Sequence, residues 1–121
     1  MKYLAGVQAL IAVVSALASA PHARSQAREM QMTGADFLLA CSRPDSEWIG
    51  FCHGYVQAIF DAAPVFDEAR QSGRGVCAPS GLTRAAIVGA VVRHLTSTRE
   101  LQSRNAATVV YAVLLVEYPC R

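Results

Sequence analysis

Four cysteines, Cys41, Cys52, Cys77 and Cys120, constrain this 121-residue chain more than any other feature, because of what precedes them. Residues 1–27 read as a secretory signal peptide. Lys2 is a one-residue positive region, and Tyr3 to Ala20 form an apolar run interrupted only by Gly6, Gln8, Ser15 and Ser19 before Pro21 breaks it. Ser25-Gln26-Ala27 supplies the small residues a cleavage site needs and makes Arg28 the first mature residue. Ala18-Ser19-Ala20 also fits, but Pro21 would then follow the cut. The competing reading is a transmembrane anchor. The run is about 18 residues long, at the lower limit for spanning, and it is Ala-rich and carries Gln8. Cleaved export, with no stable membrane anchoring afterwards, is the better account.

Export places the cysteines in an oxidising compartment, where they are expected to pair. Residues 28–121 then form a single domain. About 94 residues bury only about 60–65% of their unfolded surface, so cross-links would supplement a small core. The charge argues in the same direction. Of eleven Lys and Arg, Lys2 and Arg24 fall in the leader, which leaves nine arginines against nine acids. A neutral domain lacks the clustered basic excess that nucleic-acid binding needs. Its 53% hydrophobic and 17% charged content excludes a disordered chain.

The mature chain reads as helices with short connections. Thr33-Gly34-Ala35-Asp36 is a capping-box-like start, and Phe37, Leu38 and Cys41 give a first helix its inward stripe. Arg43-Pro44-Asp45-Ser46 is a turn, and Asp45 or Ser46 can cap a second helix. Trp48, Cys52, Tyr55, Val56 and Ile59 recur at three- and four-residue steps along it. Pro64 is expected to end or kink this helix, with Val65 to Arg70 available for one further turn. Residues 71–75 form a Gly-rich loop that continues through Cys77-Ala78-Pro79-Ser80-Gly81. Thr83 caps a third helix whose inward face is Ile87, Val88, Val91 and Leu95. A last helix starts somewhere between Thr98 and Asn105, carries Val109, Val110, Val113, Leu114 and Glu117, and stops at Pro119. No strand alternation persists. The predicted fold is all-α, a compact bundle of four main helices stapled by two disulfides.

In an up-down bundle, Cys41 closes the first helix and Cys52 lies near the start of the second, so both sit at one end. Cys77 precedes the third helix and Cys120 follows the fourth, at the opposite end. The economical pairing is Cys41–Cys52 and Cys77–Cys120. Loop 64–76 is long enough to return Cys77 toward Cys52, which leaves the alternative open.

Each chemical motif has a plainer reading. Cys52-His53 places a thiol beside a base, yet adjacent helical residues point about 100° apart and a disulfide sulfur cannot attack. A zinc site from Cys41, Cys52, His53 and Cys77 lacks close-spaced ligand pairs. No metal and no cofactor is implied. His94 reads as a surface or capping residue, and Asp61, Asp67 and Glu68 as a solvated face. Gly50-Phe51-Cys52-His53-Gly54 matches a small-xxx-small pattern and is expected to let the second helix pack closely on a neighbour.

Four stretches together resemble the Rap/Tai family of immunity proteins, which protect bacteria against type VI secretion effectors. Thr33 to Cys41 is similar to the family's opening Gly-x-x-Leu-Leu-x-x-Cys helix. Phe51-Cys52-His53-Gly54-Tyr55-Val56 resembles its Phe-Cys-x-Gly-Tyr-Ile helix. Cys77-Ala78-Pro79-Ser80-Gly81-Leu82-Thr83 resembles its Cys-Leu-Pro-x-Gly-Val-Thr lead into the third helix, and Tyr118-Pro119-Cys120 its closing Phe-Pro-Cys. The match spans nearly all of residues 32–120. It departs at Ala78, Leu82 and Tyr118, and at Thr98-Arg99-Glu100, where the family often has a proline.

The resemblance implies a periplasmic, often dimeric helical protein that is not an enzyme. Its partner would be a cognate peptidoglycan amidase with a cysteine and a histidine in its active site, whose substrate groove it blocks. The matching residues Gly34, Gly54, Tyr55, Pro79, Gly81 and Pro119 are then structural. Partner specificity is expected on exposed loops, here 64–76 and 96–105. Arg70, Arg74, Arg99, Glu100 and Arg104 are the candidate contacts, since arginine's planar fork suits carboxylate anchors. A periplasmic chaperone or ligand-binding helical module is the alternative. A thiol oxidoreductase comes third, without the Cys-x-x-Cys pair it would need.

Overall fold

Three of the four described α-helices start on a side chain that caps them. The computed structural model describes residues 31–70 and 73–121; the expected signal peptide, residues 1–27, lies outside them. Helix α1, Gly34–Cys41, opens on a reciprocal capping box. The Asp36 amide donates to Thr33 Oγ1 at 3.2 Å and the Thr33 amide donates to Asp36 Oδ2 at 2.9 Å, which satisfies two of the donors a helix start leaves unpaired. Helix α3, Arg84–Ser97, starts on Thr83, whose hydroxyl accepts from the Ala86 amide. Helix α4, Ala106–Glu117, starts on Asn105, which accepts from the Thr108 amide. Between α3 and α4 lies a 3-10 helix, Arg99–Ser103, pinned to the end of α3 by a Gln102 side-chain bond to the Leu95 carbonyl at 2.9 Å.

Helix α2, Ser46–Arg70, is 25 residues long and continues without a break through Pro64. Proline removes one helical bond, but Pro64 is exposed, where the freed carbonyl can turn to water. The turns beyond it are held from outside: Phe66 packs edge-on against Tyr111 of α4 with ring centroids 5.2 Å apart. Tertiary contact here carries the helix past Pro64 without an end, and Val65 to Arg70 form the further turns left open for them, so the first part of segment 64–76 is helix and not loop.

The four helices close around one core. Phe37 of α1, Val56 of α2, Val91 and Leu95 of α3, and Val110 and Leu114 of α4 are all fully buried. Fully burying side chains of this kind contributes roughly 1.5–3 kcal/mol each. The expected inward faces of α3 and α4 are the observed ones, with Val88 only partly covered and Glu117 exposed. Among the described residues there are no strands, only two isolated bridges, Thr33 with Asn105 and Val76 with Pro119. The first joins two helix caps: the Gly34 amide donates to the Arg104 carbonyl and the Ala106 amide to the Met32 carbonyl, each at 2.8 Å. The second joins the lead-in of α3 to the chain end, through Cys77 to Tyr118 at 2.8 Å and Cys120 to Gly75 at 2.9 Å.

Both disulfides have the economical pairing. Cys41–Cys52 ties α1 to α2 with Cα atoms 5.8 Å apart, and Cys77–Cys120 fastens the second bridge at 4.8 Å. The described residues form an all-α fold of four main helices with two staples. The close helix approach expected at Gly50 and Gly54 is not made. Nothing among the described residues lies within 4 Å of a β-carbon built at either position, so this side of α2 is uncovered.

Candidate partner-binding surface

Thiol chemistry is closed off by the bridges. Cys52 is 1% exposed and bonded to Cys41, so His53 beside it has no thiolate to activate. None of the described cysteines is free, and no group of three or more His, Cys, Asp or Glu among the described residues could hold a metal ion.

The candidate contact residues fall in both of the segments expected to carry specificity. Arg99 and Glu100 open the 3-10 helix, which packs on α1 and α3, and both are exposed. Arg70 ends α2 and lies over α4, its guanidinium 5.6 Å from the Tyr111 ring centroid and donating to the Tyr111 oxygen at 3.3 Å. Arg74 is exposed in the following loop, four residues on. Arg104 is exposed immediately before the α4 cap.

Asp67 is the residue whose role the sequence concealed. It does not belong to a solvated acidic face with Asp61 and Glu68. Its carboxylate accepts from the Tyr111 hydroxyl and, at 3.2 Å, from the Val76 amide, which locks the end of α2, the approach to Cys77 and α4 together. A β-carbon at Gly75 would come within 2.7 Å of Asp67 Oδ2, so glycine permits this approach. Partial desolvation and the bond to Asp67 raise the Tyr111 pKa above its ordinary value near 10.0. The only sequence sign was a polar-tipped aromatic within the apolar run of α4, seven residues from its closing Tyr118.

A second surface surrounds the first disulfide. Arg43 stacks over the Trp48 ring at 4.7 Å and also pairs with Asp45 at 3.2 Å. Trp48, Phe51 and Tyr55 contact one another in turn along α2, and Tyr55 reaches the buried Phe37 at 5.5 Å. Leu39 at 74% and Phe51 at 40% exposure leave this patch partly bare. His94, expected to be a surface or capping residue, is partly exposed and joins α3 to α4 through Glu117 at 2.8 Å.

The described residues form a disulfide-stapled helical domain with aromatic and arginine side chains partly bare at its surface. The family model for Rap1a immunity proteins matches residues 33–120, and the chain belongs to that family. It is an immunity-family protein, and such proteins act against a toxin. No curated protein and no solved structure matches the chain.

Proposed function

We propose that this protein is exported to the periplasm, where it binds a cognate peptidoglycan amidase delivered by type VI secretion and blocks its substrate groove. The protein performs no reaction of its own in this reading; it acts by occupying space. The family match over residues 33–120, coinciding with two formed disulfides, is the observation that carries the proposal. Disulfides persist in oxidising compartments, and the leader-like residues 1–27 are consistent with reaching one. No helix among the described residues is long and apolar enough to cross a membrane. Bridges and caps keep the surface preformed, which spares the ordering cost of about 0.5–1.5 kcal/mol per side chain on binding.

Self-association belongs to the same proposal, and the uncovered Gly50/Gly54 side of α2 beside half-exposed Phe51 is available for a second copy. Sedimentation at micromolar concentration reads it directly. For the main claim, cells receiving the amidase in the periplasm should survive when they express the full chain. A chain lacking residues 1–27 should leave them to lyse. Equal protection by both forms would remove the export step, and lysis with both would remove the inhibition.

A further inference from the structure

The two disulfides lie in opposite surroundings. Cys52 is 1% exposed, and Cys41 packs partly buried against the core, so their bridge is a seam between two packed helices. Cys77 and Cys120 belong to no helix. Cys77 is exposed and Cys120 partly covered, and neither is part of the shared core. A surface concavity of about 410 Å³ reaches this second bridge, with Cys77, Pro79, Tyr118 and Arg121 among its lining residues. Apart from the sulfurs, the ribbon here is held by the main-chain bonds of Cys77 to Tyr118 and Cys120 to Gly75, and by the Val76 amide's bond to Asp67.

We infer that Cys77–Cys120 is a redox-sensitive clasp, which a dithiol reductant opens in the folded protein while Cys41–Cys52 stays closed. The inference goes beyond the immunity reading and does not depend on it. In the exchange, one thiolate of the reductant attacks a sulfur of the bridge, forming a mixed disulfide and releasing the other cysteine as a thiolate. The reductant's second thiol then attacks the mixed disulfide, closes into its own disulfide and frees the second cysteine. Two electrons and two protons pass from the reductant to the chain. Access decides which bridge reacts. At Cys41–Cys52 both routes are obstructed: Cys52 is covered, and attack on Cys41 would expel the Cys52 thiolate into a site sealed from water, where an unpaired charge is costly. That bridge therefore waits for α1 to leave α2. Opening Cys77–Cys120 asks no helix to move, and it loosens segments 73–77 and 118–121 first.

Timed reduction of the oxidised protein by dithiothreitol tests this, with iodoacetamide trapping and peptide mass spectrometry to locate the labels. A species labelled at Cys77 and Cys120, with Cys41–Cys52 intact, should accumulate, and its formation should outpace opening of the other bridge by about tenfold or more. Urea below the unfolding transition should speed loss of Cys41–Cys52 and leave the first step almost unchanged, because only the former requires the core to open. In the trapped one-bridge species, the Cys77 and Cys120 amides should exchange hydrogen faster than in the oxidised protein, while those of Val91, Leu95 and Leu114 stay protected. Simultaneous loss of both bridges, or Cys41–Cys52 opening first, would overturn the assignment. Loss of protection throughout α3 and α4 in the one-bridge species would show a staple of the whole fold in place of a local clasp.

Discussion

Gly34 faces the carbonyl of Leu101 and a methyl of Leu95 with no room to spare. A β-carbon there would sit 2.4 Å from the oxygen and 2.7 Å from the methyl carbon, and the oxygen belongs to backbone that cannot swing aside. Gly34→Ala should therefore cost about 1–3 kcal/mol in urea unfolding, in the range for overpacking a tight site. The resemblance marks Gly34 as structural; the reason, contact with a 3-10 helix some 65 residues later, is not written locally. Two residues on, Asp36 behaves as its sequence suggests. Bonds from the Thr33 side chain and backbone hold its carboxyl below the usual value of 3.8. A depressed folded pKa gives stability that is present above the unfolded value and lost as pH falls through the folded one. Asp36→Asn should flatten the acid limb of a stability-against-pH curve; an unchanged limb would mean the capping box contributes nothing to it.

At the scale of elements, the sequence marks beginnings better than ends. Thr33 and Thr83 as caps and the apolar faces of α3 and α4 were readable because hydroxyl caps and three-and-four spacing are local signals. The passage of α2 through Pro64 was not, since it depends on Phe66 and Asp67 meeting Tyr111 from another helix. The 3-10 helix was missed for a similar reason: its bond from Gln102 to Leu95 is made to α3, not within itself. Tyr111 offers a test of the junction. Its raised pKa reflects desolvation first and the bond to Asp67 next, so the neutral phenol is the favoured form. Stability is fully present below the unfolded value near 10.0 and is lost as pH rises through the folded one. Tyr111→Phe should remove that alkaline loss while leaving the acid limb in place, as followed by thermal unfolding. The staples differ too. Cys77–Cys120 closes a separation of 43 residues and Cys41–Cys52 one of 11. On loop entropy alone, replacing each pair by alanine should cost about 4 and about 3 kcal/mol respectively, the longer loop more.

For the whole molecule, cysteine positions carried most of the architecture. Placing Cys41 and Cys52 at one end of a bundle and Cys77 and Cys120 at the other led to the pairing that the structure has. The surface was far less legible. Arg70 could be named as a candidate contact but not as a neighbour of the Tyr111 ring, because that contact comes from packing α2 against α4. Gly50 and Gly54 show the converse: a pattern associated with close packing faces open space. Patterns of small residues state what a helix permits, and only the fold states what it meets.

The central claim is inhibition by a preformed, oxidised domain. The direct measurement is hydrolysis of purified peptidoglycan by a type VI secretion amidase proposed as the cognate toxin, titrated with the fully oxidised mature protein. The account predicts a fall to the uncatalysed rate at one equivalent. Undiminished hydrolysis in the presence of a large excess of correctly bridged protein would contradict it.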